Sequence, residues 1–196
     1  TAIKICEGQQ LDLDFQFIKE IKKEDYFLMI ELKTAALIQL ALSMPFYSGS
    51  FISQLQNSDL DNFNNEKIVK KLGLLLGQLF QIQDDYLDLY GQQSIVGKTI
   101  GGDIHEKKKT FLYVEACRLL ELSKKEKFIS LYNSDHNNKI NLVCDLYDEL
   151  DIKKSTIKHI NQLYLDIFVL ISRLKIEHNK KANLKEFVKY IMNRNF

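Results

Sequence analysis

The scarcity of chain-breaking residues is what most constrains the fold of this chain. It contains one proline, Pro45, and eight glycines among 196 residues. Sandwiches and barrels change direction often, and their tight turns use glycine and proline. Because these residues are rare while good helix formers such as Leu, Lys, Glu and Gln are abundant, the sequence predicts an all-α protein.

Length and charge narrow the class of protein further. A chain of 196 residues predicts a single domain, residues 1–196, that is large enough to bury a core. The 27 basic and 26 acidic side chains give a net charge of +1, so no nucleic-acid partner is expected. A hydrophobic content of 45% is too high for a disordered chain.

The cysteines and the apolar runs bear on the compartment. The three cysteines, Cys6, Cys117 and Cys144, are an odd number at wide spacing, which argues against a disulfide scaffold and predicts a cytoplasmic protein. No run of about 18 uncharged apolar residues is present, so no membrane span is expected. The first residues also lack the pattern of a signal peptide.

Apolar periodicity predicts a series of helices separated by polar loops. The first helix is predicted at residues 25–44, with Pro45 as its end, and the second at residues 65–89, after a polar loop at residues 58–65. Residues 91–109 hold four of the eight glycines and are predicted to be a loop. Further helices are predicted at residues 110–122, 123–133, 139–149, 155–178 and 183–193.

A row of carboxylates on the second helix is the strongest chemical signal. Asp84 and Asp88 are four residues apart and share a face, Asp85 lies beside them, and Gln81 extends the row by one turn. The rest of this helix is apolar almost all round, so the helix should be buried although its carboxylates repel one another. Either the row is an ordinary acidic surface, or it faces a cavity where magnesium ions neutralise it.

Lysines elsewhere in the chain favour the second of these alternatives. Lys98 lies in the glycine-rich loop, and residues 107–109 are three lysines that open the next helix. Positive charge at a helix N-terminus opposes the helix dipole, which points to an anionic partner such as a polyphosphate, although a solvated helix start is the simpler alternative. Lys33, followed by Thr34, lies in the middle of the first apolar helix, where it either serves function or extends its ammonium group to solvent.

In their order and spacing, these motifs resemble the trans-isoprenyl diphosphate synthases, the polyprenyl synthetase family that includes farnesyl and geranylgeranyl diphosphate synthases. Residues 80–91 resemble the second aspartate-rich motif of that family, and residues 97–110 resemble the loop that follows it. Residues 33–34 resemble the Lys-Thr pair of a family helix, and residues 8–13 the segment that precedes this helix. Residues 184–194 resemble the last helix of the family.

The resemblance implies a fold and also implies that this chain holds only part of it. It implies an all-α, isoprenoid-synthase-type helical bundle around a central cavity. The family's first aspartate-rich motif and the arginine pair that follows it are not found among the 196 residues. We therefore expect the chain to be the C-terminal portion of such a domain, with the N-terminal helices lying outside it and with the chain alone inactive.

The resemblance also implies an activity. A prenyl diphosphate synthase of this kind condenses an allylic diphosphate, dimethylallyl or geranyl diphosphate, with isopentenyl diphosphate by Mg²⁺-assisted ionisation and chain elongation. A short-chain product, farnesyl or geranylgeranyl diphosphate, and a homodimer are expected. The alternatives are a non-catalytic partner subunit or inactive homologue and, with less support, a terpene cyclase of the same fold, because cyclases usually carry a different pattern at positions 84–88.

Individual residues receive roles from the same resemblance. Mg²⁺ would be bound by the aspartates of the acidic row and the loop, namely Asp84, Asp85, Asp88 and Asp103. Catalytic roles would fall to Lys33, Gln81, Lys98 and Lys108. Substrate would be bound by Gln9, Asp12, Thr34, Gln81, Lys98 and Lys108.

Overall fold

The computed structural model describes residues 1–47, 59–91 and 101–192, and within these ranges the chain is helical with no strand. The all-α prediction is thereby confirmed. The helices are α1 (Ala2–Phe15), α2 (Lys23–Ile30), α3 (Ala36–Tyr47), α4 (Asp59–Tyr90), α5 (Gly102–His105), α6 (Phe111–Leu119), α7 (Leu122–Tyr132), α8 (Lys139–Glu149), α9 (Ile152–Arg173) and α10 (His178–Met192).

Helix α4 is the central element of this arrangement. It packs against α3 and α9, and more briefly against α2, α5 and α6. Its buried residues Leu72, Leu76, Leu79 and Ile82 recur at steps of three and four and form one face of the hydrophobic core. Because α4 has neighbours on several sides, its buried polar residues must either find partners among these helices or line a cavity.

Helices α2 and α3 form one continuous helix through a π-helical turn, Glu31–Ala35. The predicted helix at residues 25–44 is therefore present, but the prediction that Pro45 ends it is wrong, because α3 runs through Pro45 to Tyr47. A proline in a helix removes one backbone hydrogen bond. Helix α3 nevertheless continues past the proline, and it packs against α4.

Two other boundaries also differ from the predictions. Residues 59–65, expected to be a loop, belong to α4, and α9 ends at Arg173 rather than near residue 178. Asn65 is 4% exposed, and its side-chain amide exchanges two hydrogen bonds with the backbone of Lys175, at 3.1 and 2.8 Å. This long-range contact anchors the polar segment 59–65 beside the core, and local composition does not predict such a contact.

Three of the remaining helix predictions agree with the structure within a few residues, whereas the helix predicted at residues 183–193 begins earlier, at His178, and ends at Met192. The predicted helices at residues 110–122, 123–133 and 139–149 correspond to α6, α7 and α8. In the predicted loop at residues 91–109, the described part contains the short helix α5.

The segment Lys23–Phe46 is long and apolar enough to cross a membrane, judged by length and composition alone. The sequence prediction counted only uncharged runs and overlooked this segment, which Glu31 and Lys33 interrupt. Core helices of soluble proteins have the same composition, so this property does not demonstrate insertion into a membrane.

Candidate active site

The acidic row of α4 borders a polar pocket of about 170 Å³. Seven of the predicted site residues line this pocket, from α1, the π-helical turn, α4 and the loop around α5: Asp12, Lys33, Gln81, Asp84, Asp85, Asp103 and Lys108. Four further residues complete the lining: Tyr26, Met29, Lys109 and Thr110. The fold therefore gathers acidic and basic side chains from distant parts of the sequence into one cavity.

The π-helical turn presents Lys33 to Asp12 of α1. The Lys33 ammonium group and the Asp12 carboxylate form an ion pair of 2.6 Å, and both side chains are largely buried. Helix α1 approaches the turn so closely at Gly8 that a Cβ atom there would overlap the backbone of Leu32 and Lys33. The absence of a side chain at Gly8 thus allows the contact that brings the two charges together.

Asp85 is turned away from solvent and is held by donors from three helices. One carboxylate oxygen, Oδ2, accepts hydrogen bonds from the Tyr26 hydroxyl at 2.6 Å and the Phe111 backbone N–H at 2.7 Å. The other, Oδ1, accepts from the Gln81 side-chain amide at 3.0 Å. Burial raises the pKa of Asp85 to about 7, against the opposing effect of these hydrogen bonds.

Thr34 connects the π-helical turn to the same group of side chains. Its hydroxyl donates a hydrogen bond of 3.1 Å to the side-chain oxygen of Gln81, whose nitrogen donates to Asp85. Thr34, Gln81, Asp85 and Tyr26 therefore form a continuous chain of hydrogen bonds beside the pocket.

Asp88 and Asp103 have different roles in the structure. A carboxylate oxygen of Asp88 accepts the backbone N–H of Asp103 at 3.0 Å, so Asp88 holds the first turn of α5 against α4. The backbone carbonyl of Asp88 accepts the N–H of Gly101, which adopts a left-handed φ of 75°. The Asp103 carboxylate pairs with the Lys108 ammonium group at 2.9 Å and lines the pocket, whereas Asp88 is not among its lining residues.

The three consecutive lysines each make different contacts. Lys107 adopts a left-handed φ of 60° and pairs with Asp135 at 2.7 Å. Lys108 lines the pocket, and although burial acts to lower its pKa, its interactions with Asp103 and then Glu106 raise the pKa above its usual value.

Lys109 is 3% exposed and also lines the pocket. Its ammonium group donates to the Lys107 carbonyl at 3.0 Å and to the Asn133 side-chain oxygen at 2.8 Å. Burial lowers the pKa of Lys109 to about 8. Of the three lysines, the sequence analysis assigned a role only to Lys108, whereas the structure shows that Lys109 ties the loop to the end of α7.

The oxygen-rich lining suits a hard cation such as Mg²⁺. Among the described residues, no three His, Cys, Asp or Glu side chains lie close enough together to hold a metal ion, so the predicted set of four aspartates is not assembled. Asp84, however, is exposed and lines the pocket. Because Mg²⁺ commonly takes one or two carboxylates and completes its shell with water and phosphate oxygens, Asp84 in this pocket fits the ion.

Among the described residues, three predicted site residues do not line the pocket, namely Gln9, Thr34 and Asp88. Gln9 is exposed on α1 and is not among the lining residues. Lys98 lies outside the described residues. Conversely, the sequence analysis missed Tyr26, which precedes Lys33 by two helical turns and so lies on a similar side of the helix. The spacing of Tyr26 and Lys33 could have predicted that both residues line the pocket.

Comparisons with known proteins identify relatives of this chain. Residues 1–150 match the family model described as Polyprenyl synthetase. The chain is 32% identical over 148 residues to the short chain isoprenyl diphosphate synthase of Methanothermobacter thermautotrophicus, covering 76% of this chain and 42% of that protein. It is 35% identical over 182 residues to the geranylgeranyl diphosphate synthase of Saccharolobus solfataricus, covering 91% of this chain and 49% of that protein.

Solved structures show the same fold. A crystal structure of geranylgeranyl pyrophosphate synthase superposes with a TM-score of 0.80 at 28% identity, covering 100% of this chain and 58% of that one. By contrast, the chain spans 42% and 49% of the length of the two curated relatives above. The family match over residues 1–150, the two relatives and the shared fold establish that the chain belongs to the polyprenyl synthetase family.

Proposed function

We propose that this chain forms the diphosphate-binding part of a prenyl diphosphate synthase, which condenses an allylic diphosphate with isopentenyl diphosphate. The observation that carries the proposal is the single pocket lined by Asp84 and Asp103 together with Lys33 and Lys108. A diphosphate bound with a divalent cation presents both signs of charge, and this lining complements both. Family membership supports the same reaction.

The basic residues would stabilise the charge that develops on the leaving diphosphate. Ionisation of an allylic diphosphate leaves negative charge on the diphosphate oxygens, and ammonium groups already held in place stabilise that charge without reorganising. Lys33 is held by Asp12 and Lys108 by Asp103, so both cations are preorganised. By resemblance, Lys98 would contribute a third positive charge.

Mg²⁺ would be held by Asp84, with Asp88 and Asp103 contributing directly or through water. When bound, it would supply Lewis-acid stabilisation of the diphosphate. Asp85, whose oxygens accept three protein hydrogen bonds, would support the site rather than contact the ion. Gln81 and Thr34 would lie near the reacting carbons, and Gln9 would assist on the α1 side.

The finer properties follow the named relatives. Relatives of this chain include proteins called geranylgeranyl diphosphate synthase and farnesyl pyrophosphate synthase, which supports dimethylallyl or geranyl diphosphate as substrate and a short-chain product. The free cysteines Cys6, Cys117 and Cys144 suit a cytoplasmic protein. A homodimer remains a prediction, which analytical ultracentrifugation would check.

The decisive experiment is a prenyl transfer assay on the protein as the organism makes it. With radiolabelled isopentenyl diphosphate, an allylic diphosphate and Mg²⁺, we expect labelled prenyl diphosphates that are longer by five-carbon units. Asp84→Ala should abolish turnover, whereas Asp166→Ala, which changes an exposed aspartate on α9, should leave it unchanged. Binding of diphosphate without turnover would instead indicate a non-catalytic subunit, and release of a hydrocarbon from the allylic substrate alone would indicate a cyclase.

A further inference from the structure

Tyr26 is a fully buried tyrosine whose hydroxyl points at the acidic row. The side chain is 0% exposed, and its hydroxyl donates a hydrogen bond of 2.6 Å to Oδ2 of Asp85. Burial, followed by the charge of Asp85, raises the pKa of Tyr26 well above its usual value, so the hydroxyl remains a donor. The same Oδ2 accepts the backbone N–H of Phe111 at 2.7 Å. Two donors from α2 and α6 therefore fix one oxygen of this carboxylate.

The fixed carboxylate determines how Gln81 is oriented. Both oxygens of Asp85 act as acceptors, Oδ2 toward Tyr26 and Phe111 and Oδ1 toward Gln81, whose side chain turns its NH₂ group to Oδ1 at 3.0 Å. Its carbonyl oxygen then faces the Thr34 hydroxyl, which donates to it at 3.1 Å. The opposite orientation of the amide would place two acceptors against each other at Asp85.

We propose that Tyr26 is a positioning residue of this site: through Asp85, it holds the Gln81 side chain with its carbonyl oxygen toward Thr34 at the edge of the pocket. The effect of this role on the reaction rate rests on the proposed function. The role itself follows from the chain of hydrogen bonds that joins α2, α4 and the π-helical turn.

Tyr26→Phe removes only the hydroxyl and so tests the positioning role without changing the packing of the ring. The Tyr26 ring packs against the rings of Phe27 and Phe111, at centroid distances of 5.6 and 6.1 Å, and a phenylalanine keeps these contacts. Without the hydroxyl, Oδ2 of Asp85 loses one of its two donors, and the carboxylate can turn toward Phe111. Gln81 then loses the geometry that selects its orientation.

The matched control is Tyr113→Phe. Tyr113 is also 0% exposed, but its hydroxyl donates at 2.7 Å to the backbone carbonyl of Lys19, and Tyr113 does not line the pocket. In the protein as the organism makes it, we expect Tyr26→Phe to lower kcat about tenfold or more, because small displacements of positioned groups have effects of this size. The KM for isopentenyl diphosphate should change less than about twofold, and Tyr113→Phe should keep the wild-type kcat.

A second measurement does not depend on activity. In a ¹⁵N-labelled sample, the side-chain amide signals of Gln81, identified by their loss in Gln81→Glu, should exchange slowly with solvent. They should shift and exchange faster in Tyr26→Phe and remain unchanged in Tyr113→Phe. If Tyr26→Phe does not fold, Asp85→Asn supplies the same test, because its NH₂ group should force the Gln81 amide to reverse.

The outcomes distinguish the two proposals. Unchanged Gln81 signals in Tyr26→Phe, or in Asp85→Asn where that variant replaces it, would overturn the positioning role whatever the activity. Disturbed signals in a protein whose wild type transfers no prenyl group would support the role of Tyr26 and reject the proposed function. Disturbed signals with an undiminished kcat, in a wild type that does transfer prenyl groups, would also overturn the positioning role.

Discussion

Lys33 and Asp12 form a largely buried ion pair of 2.6 Å across the contact between α1 and the π-helical turn. The pair places a positive charge on the wall of the pocket and limits where that charge can move. Removing one partner from such a pair leaves the other charge poorly compensated.

Asp12→Asn should therefore weaken the binding of inorganic diphosphate in the presence of Mg²⁺. We expect a loss of about three- to tenfold, because Lys33 is no longer held in place on the pocket wall and must be ordered when diphosphate binds. Isothermal titration calorimetry measures the effect. Asp14→Asn is the control, since the carboxylate of this exposed residue of α1 accepts a local hydrogen bond from Gln10 and does not line the pocket. Equal affinities for the wild type and Asp12→Asn would contradict the role assigned to the pair.

Gly8→Ala should destabilise the fold through the same contact. A Cβ atom at this position overlaps the backbone of Leu32 and Lys33, so α1 must shift away from the π-helical turn. Overpacking of this kind costs about 1–3 kcal/mol of the free energy of unfolding, which urea denaturation measures. Glu7→Ala, an exposed change on α1, should stay within about 0.5 kcal/mol of the wild type. A Gly8→Ala variant as stable as Glu7→Ala would show that the contact is not tight in solution.

Asn65→Ala tests the contact that anchors the start of α4. The substitution leaves the N–H and the carbonyl of Lys175 without their side-chain partner. A loss of about 1–3 kcal/mol in the free energy of unfolding is expected because two hydrogen bonds of a buried side chain are removed. The neighbouring exposed Asn64 provides the control, Asn64→Ala. Similar stabilities of the two variants would mean that water replaces the amide without cost.

The buried amine of Lys109 makes stability depend on pH in the alkaline range. Its pKa is about 8 in the folded state and 10.5 in the reference state, so between these values the unfolded chain binds more protons. The contribution of this residue to the free energy of unfolding therefore rises with pH from about 8 to about 10.5.

Comparison with Lys109→Met isolates that contribution. Urea denaturation between pH 8 and pH 10 should show the stability of the wild type increasing relative to Lys109→Met. The exposed lysine substitution Lys124→Met should show no such divergence. Parallel curves for the wild type and Lys109→Met would place the pKa of this amine near its ordinary value.

The helical class and several candidate residues could be predicted from local sequence. One proline and eight glycines leave little material for turns, and the spacing of Asp84 and Asp88 fixes their relation on one helix. The positions of Lys33 and Lys108 in recognisable motifs likewise anticipated that they line the pocket. These features depend on the helix repeat and on order along the chain, which any helical fold retains.

The roles of adjacent residues were decided only by tertiary packing. Asp84 and Asp85 are neighbours in sequence, but a rotation of about 100° between them leaves one exposed and the other buried against Tyr26 and Phe111. Likewise, α3 continues through Pro45, and Lys109 donates to Asn133 whereas its neighbour Lys108 pairs with Asp103. Periodicity determines which residues share a helix face, whereas the partner of that face comes from segments far away, as with Tyr26 and Asp85, which are 59 residues apart.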